Sequence, residues 1–219
     1  MARSSASTRR LRVVSGGRQG GGFRSEALES TAALDDAQLV ALARAADLRA
    51  FEALYRRHAG FALNLAVRIQ GSGADAEDIV HDAFLRVHQR LRELRDGHLF
   101  RAWLGSIVVR LVRTRLRRRR LMALFGIRSS EPVDLDSLAT PEASPEARAE
   151  LAQVYALLQT MAPQDRIAWT LRHIERHRLD AVAELSGCSL ATAKRRIQRA
   201  QHYLRDHFVA PFEQDERRD

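Results

Sequence analysis

Lysine is nearly missing from this 219-residue chain. Lys194 is the only one, and arginine carries the rest of a net charge of +9. A coding preference of a GC-rich genome accounts for the arginine bias, so the bias itself names no function. Cysteine is represented by Cys188 alone, which excludes a disulfide within one chain and fits a reducing compartment. Aromatic residues make up 6%, so a core has to be built from Leu, Val, Ile and Ala, the currency of packed helices. No apolar run approaches a membrane span, and no apolar stretch follows the basic start as a secretory signal would require. Gly20–Gly22 is a glycine run without the strand and helix of a phosphate loop. The chain is therefore expected to be soluble and intracellular.

What is present is helical patterning and an excess of cations that calls for a polyanionic partner. Residues 1–33 are rich in Ser, Gly and Arg, with no acid before Glu26. They read as a disordered basic arm, with an upstream start or a transit-like segment as alternatives. Leu39, Leu42 and Ala46 form a short apolar stripe. Phe51, Leu54, Tyr55, His58, Phe61 and Leu65 form a second, and Gly71-Ser-Gly73 breaks the chain. A third helix from about Ala74 has Asp75, Glu77 and Asp78 in its first turn, where negative charge suits the helix dipole. It carries the stripe Val80, Phe84, Val87, Leu91, Leu94. After the loop Arg95-Asp96-Gly97-His98, a fourth helix bears Phe100, Trp103, Leu104, Ile107 and Leu111. Trp103 at this spacing predicts packing inward rather than base stacking. The helix ends in the arginine-rich run Arg113–Arg120, which repels itself unless it meets an anion.

Residues 126–150 change to Pro132, Pro141, Pro145 and many acids, the composition of a flexible linker. Helical spacing resumes through Leu151, Val154, Leu157, Leu158 and Met161. Pro163 marks a helix start, and Ile167, Trp169, Leu171 and Ile174 follow.

Residues 179–204, LDAVAELSGCSLATAKRRIQRAQHYL, read as helix, three-residue turn and second helix. Ala183 permits a close crossing, Gly187 a left-handed turn, and Ser189 an N-cap. Ala193, Ile197, Ala200 and Leu204 dock the second helix, while Lys194, Arg195, Gln198 and Arg199 leave it together. An ordinary amphipathic helix shares this charge pattern; the preceding turn favours a recognition helix in a DNA major groove. His173 and His177 stand at i, i+4 with Glu175 and Cys188 near in sequence, an incomplete zinc-ligand pattern.

Two segments in order then resemble one family. DAEDIVHDAFLRVHQRL with FRAWLGSIVVRLVRTRLRRRR is similar to region 2 of bacterial RNA polymerase sigma factors, closest to the extracytoplasmic-function (ECF) group. FEALYRRHAGFALNLAVRI resembles the start of that region. MAPQDRIAWTLRHIE, with the helix-turn-helix, resembles region 4. His81 stands where the family often has Gln, and Ala193 where it often has a larger residue.

The resemblance implies an all-α fold of two small helical domains. The expected divisions are an arm over 1–33, a region 2 domain over 34–122, a linker over 123–146, a region 4 domain over 147–210 and a charged tail over 211–219. It implies a non-enzymatic factor that binds core RNA polymerase through the largest subunit's clamp helices and the flap, recognises promoter DNA and helps open it. An anti-sigma protein is an implied partner; no catalytic or metal residues, no cofactor, no small-molecule substrate and no membrane insertion are expected, and the implied location is cytoplasmic and nucleoid-associated. Asp75, Glu77, Asp78, His81, Asp82, Arg86 and Gln89 would meet the polymerase. Arg95, Asp96 and His98, in the loop that captures a flipped base, would serve the −10 element with Arg113, Arg115, Arg117 and Arg118. Ser189, Thr192, Lys194, Arg195, Arg196, Gln198 and Arg199 would serve the −35 element. A stand-alone helix-turn-helix regulator is the alternative.

Overall fold

The computed structural model describes residues 33–73, 75–125, 138 and 143–208. The expected arm, most of the linker and the tail lie outside these residues. Eight α-helices are formed among them, joined by short 3₁₀ and π segments and without strands.

Helix α1 spans Asp36–Arg44. Asp35 caps it in a reciprocal box, its carboxylate accepting from Gln38 N at 2.8 Å while Asp35 N donates to the Gln38 side chain at 2.9 Å. Helix α2, Leu48–Gln70, is capped by Asp47, which takes the amides of Arg49 and Ala50. Both caps satisfy donors that the first turn leaves open. The α2 stripe is built on Ala50, Leu54, His58, Ala62, Leu65 and Ile69, all buried. Tyr55, expected inside, is 42% exposed and lies against the flank of Phe84 at 4.6 Å. The small alanines allow close helix approach, which moves the large rings to the edge of the contact. Gly71 ends α2 at φ 70°, in the left-handed region.

Helix α3 is Ala76–Arg90, and its expected stripe Val80, Phe84, Val87, Leu91 and Leu94 is buried throughout. Helix α4, Phe100–Leu124, is the centre of the molecule. The expected face of Phe100, Leu104, Ile107 and Leu111 is buried, but so are Gly105, Val108, Val109, Val112 and Leu116. A helix apolar over most of its circumference has neighbours on more than one side. Phe100 is fully buried, and Trp103 is half-buried against the core.

The second module contains α5 (Pro145–Thr160), α6 (Pro163–Trp169), a π segment over Thr170–Ile174, α7 (Leu179–Ser186) and α8 (Leu190–His207). The linker is shorter than its composition implied, because α4 continues to Leu124 and α5 begins at Pro145, capped by Ser144. The two modules share one apolar layer. Ile167, Ala168, Leu171, Val182 and Ala183 join the same buried cluster as the α1–α4 residues. A side chain on Gly105 would lie 3.5 Å from Leu185 and 3.6 Å from Phe61, so α4 is packed between the modules. Arg68 of α2 bonds Glu175 at 2.8 Å across the same join.

A cluster of three polar side chains anchors the first module. Asp36 accepts from Arg57 and meets Nε2 of the buried His58, each at 2.8 Å. Burial raises the Asp36 pKa, but the hydrogen bonds and charges of Arg57 and His58 outweigh it, leaving the carboxyl below its ordinary value.

Candidate nucleic-acid interface

The helix-turn-helix is assembled as its residues dictate. Gly187 turns at φ 59°, ψ 49°. Ser189 then caps α8, its Oγ accepting from Thr192 N at 3.3 Å and lying 2.9 Å from the Thr192 hydroxyl. Ala193, Ile197, Ala200 and Leu204 are all buried, which fixes the rotation of α8. Lys194, Arg195, Gln198 and Arg199 are consequently exposed, with Arg196 half-buried. Arg195 reaches back to the Thr192 hydroxyl at 3.4 Å. The face combines cations with an amide, the donor types that reach guanine and adenine edges.

Arg199 differs from its neighbours. Its guanidinium binds Asp165 of α6 through both oxygens, at 2.7 and 3.1 Å, and the acid's side chain is only 12% exposed. This pair braces α8 on α6, so Arg199 sets the helix position as well as lying on its outer face. The sequence reading missed Asp165. Its only signal was an acid in the first turn after Pro163.

The arginine run at the end of α4 is divided. Arg113 donates to the Ser186 carbonyl at the end of α7, at 3.1 Å. Arg115 binds the Asp75 carbonyl at 2.9 Å and the Asp82 carboxylate at 3.0 Å. Arg119 binds the Asp75 carboxylate at 2.8 Å. Arg117, Arg118 and Arg120 are exposed. Asp75 does not cap α3: it sits at φ 57° and spends its side chain on Arg119. Two residues expected at the polymerase surface, Asp75 and Asp82, thus lie in contact with arginines expected at DNA. Glu77, Asp78, His81, Arg86 and Gln89 are exposed on α3, with Leu85 among them at 49%.

The loop before α4 is held against α1. A side chain on Gly97 would meet the Ala37 Cα at 2.6 Å, so only glycine fits there. Asp96 accepts the His98 amide at 2.9 Å, which commits one carboxylate oxygen to the turn. Arg95, Asp96, His98 and Leu99 remain exposed.

The histidine pattern does not extend along one helix. The π segment stops at Ile174, Arg176 turns at φ 60°, His173 stacks on Trp169 at 5.0 Å, and Glu175 is bound by Arg68. Among the described residues no three His, Cys, Asp or Glu side chains come together as a metal site would need. No described helix is long and apolar enough to cross a membrane.

Residues 54–121 match Sigma-70 region 2, and residues 151–200 match Sigma-70 region 4. With both modules matched in order, the chain belongs to the RNA polymerase sigma factors, a family whose members are not enzymes. It is 30% identical over 168 residues to the ECF RNA polymerase sigma factor SigE of Mycolicibacterium smegmatis, covering 75% of this chain and 63% of that one. It is 29% identical over 157 residues to the RNA polymerase sigma factor CarQ of Myxococcus xanthus, covering 72% and 88%. The SigE match thus spans less than two thirds of that relative's length. Among solved structures, CnrH in complex with the cytosolic domain of CnrY is similar at a TM-score of 0.53 and 28% identity, covering 78% of this chain and 95% of that chain. The sigma factor RpoE of Bartonella quintana, solved with the anti-sigma factor NepR, shares the fold at a TM-score of 0.54 and 19% identity, covering 73% and 96%.

Proposed function

We propose that this chain binds core RNA polymerase, brings it to promoters and helps open the DNA. The exposed α8 face, fixed by the buried stripe beneath it and by the Ser189 cap, carries this reading. Lys194, Arg195 and Gln198 read base edges of the −35 element, with Ser189 and Thr192 placed at the helix N-terminus for phosphate. Arg199 and Arg196 support them. The loop Arg95–Leu99 meets the −10 element, and Arg117 and Arg118 hold its phosphates. Arg113 and Arg115 join them where the packed modules part. The exposed acids and Gln89 of α3 meet the polymerase clamp.

An inhibitory protein of the anti-sigma kind is the further partner proposed, acting in the cytoplasm at the nucleoid. A stand-alone regulator is the weaker reading, because the match covers both modules rather than the helix-turn-helix alone. Run-off transcription with purified core polymerase, on a promoter from the gene's own upstream region, tests the proposal. A specific transcript that depends on this chain is expected. A chain that neither co-elutes with core polymerase nor directs a transcript would overturn it.

A further inference from the structure

Arg166 is 4% exposed, and its Nε and Nη2 have no hydrogen-bond partner among the described residues. Its sequence neighbour Asp165 is committed to Arg199. A buried guanidinium without a counter-ion is costly, because the charge has lost water and gained nothing in exchange. Burial pushes its pKa down to about 10, still far above neutrality, so the group stays charged. Such a group calls for a water or an anion to take its donors.

Arg166 lines a cavity of about 520 Å³ between the end of α4 and the α5–α6 junction. Arg119 and Arg120 of α4 line the same cavity with Gln159, whereas the Thr160 hydroxyl there is engaged by the Leu157 carbonyl and by Tyr203. No acid is among the described residues that line it. Arg119 already binds Asp75 through Nη2, which fixes its direction. Water could satisfy the Arg166 donors but would not neutralise the guanidinium groups of Arg166 and Arg120. An anion would do both. Planar guanidinium forks match phosphate oxygens in pairs, and the volume falls within the range of small-molecule sites.

We propose that this cavity binds a phosphate-bearing small molecule, with Arg166 as the buried anchor and Arg119 and Arg120 at the opening. The ligand is an effector rather than a substrate, since no carboxylate, imidazole or thiol that could act as a base or activated nucleophile lines the cavity among the described residues. It contacts both modules, so its binding ties the end of α4 to α5 and α6 and favours the packed arrangement. The proposal does not depend on promoter recognition, and its test contains neither polymerase nor DNA.

Inorganic pyrophosphate is titrated into the full chain at constant ionic strength, followed by calorimetry and thermal unfolding. One saturable site per chain and a rise in Tm are expected, as for any ligand that binds only the folded state. Arg120→Gln, at an exposed position, is expected to weaken binding about tenfold by removing one charged contact. Arg166→Met replaces the buried cation with an apolar side chain. It is expected to keep the helical circular dichroism, to match or exceed the wild-type Tm without ligand, and to abolish the response. If Arg166→Met fails to fold, Arg120→Gln and Gln159→Leu still decide the matter. No saturable binding by the wild type, or unchanged affinity in the folded variants, overturns the site. An equal response to acetate overturns the phosphate assignment.

Discussion

The arginine run of α4 and the basic face of α8 have similar composition and different fates. On α4, Arg113, Arg115 and Arg119 are engaged by a helix-end carbonyl and by the acids of α3. On α8, Lys194, Arg195 and Gln198 are exposed, and only Arg199 is tied to an acid, Asp165. The counts of cations are therefore a poor measure of a DNA-binding surface. The geometry of neighbouring carboxylates decides which charges are available. In the first module the acids lie one helix away and reach the arginines. In the second the acid lies beneath the helix and catches only the side chain at its edge.

The contrast is broken most directly on α8. The double substitution Arg195→Ala with Gln198→Ala is expected to cost about 3 kcal/mol of promoter affinity, roughly a hundredfold. The loss should fall on the cognate sequence and spare non-specific DNA, measured by competition binding of the polymerase-bound factor. Equal loss on both DNAs would make the face a phosphate contact only. Arg199→Ala is expected to destabilise the fold by about 2 kcal/mol, because it leaves the largely buried Asp165 carboxylate without its partner. Denaturant unfolding measures this, and Arg199→Ala with Asp165→Asn should recover part of the loss.

Asp36→Asn is expected to cost about 1–2 kcal/mol by the same logic in the first module. The Asp36 carboxyl is held below its ordinary value of 3.8. Its stabilisation is therefore fully present above that value and is lost as pH falls through the lowered folded-state pKa. Wild type and Asp36→Asn should converge in stability under acid and diverge toward neutrality. Arg115→Ala is expected to change stability by no more than about 1 kcal/mol, since its partner Asp82 is 45% exposed and such pairs are screened. Arg117→Ala with Arg118→Ala should leave stability unchanged and lower the salt dependence of DNA binding by about two counterions. A larger salt effect from Arg115→Ala than from this pair would reverse the division drawn on α4.

The stripes of α3 and α8 were legible because strict spacing of large apolar residues admits one buried face. The helix-turn-helix was legible for the same reason, with Gly187 and Ser189 marking the turn. On α2 the aromatic residues misled, since the buried line runs through Ala50 and Ala62 and Tyr55 stands outside. Small residues carry little signal by periodicity yet control how closely helices pack. The linker boundaries shifted because proline composition marks where a helix starts as readily as where one stops. Among the site residues, Asp165 and Arg166 were invisible. Nothing local distinguishes a buried charged residue on a short helix from an exposed one.

Sequence by itself determined the helices, their caps and the orientation of α8, because these rest on interactions within a few residues. It also determined family membership, through two ordered motifs. Tertiary structure alone decided that α4 is packed between the modules, that Gly97 presses on Ala37, which arginines meet acids, and that Arg166 is buried beside a cavity. Each of these depends on residues far apart in the chain meeting at ångström distances, where the reach of a side chain and the loss of water set the energy.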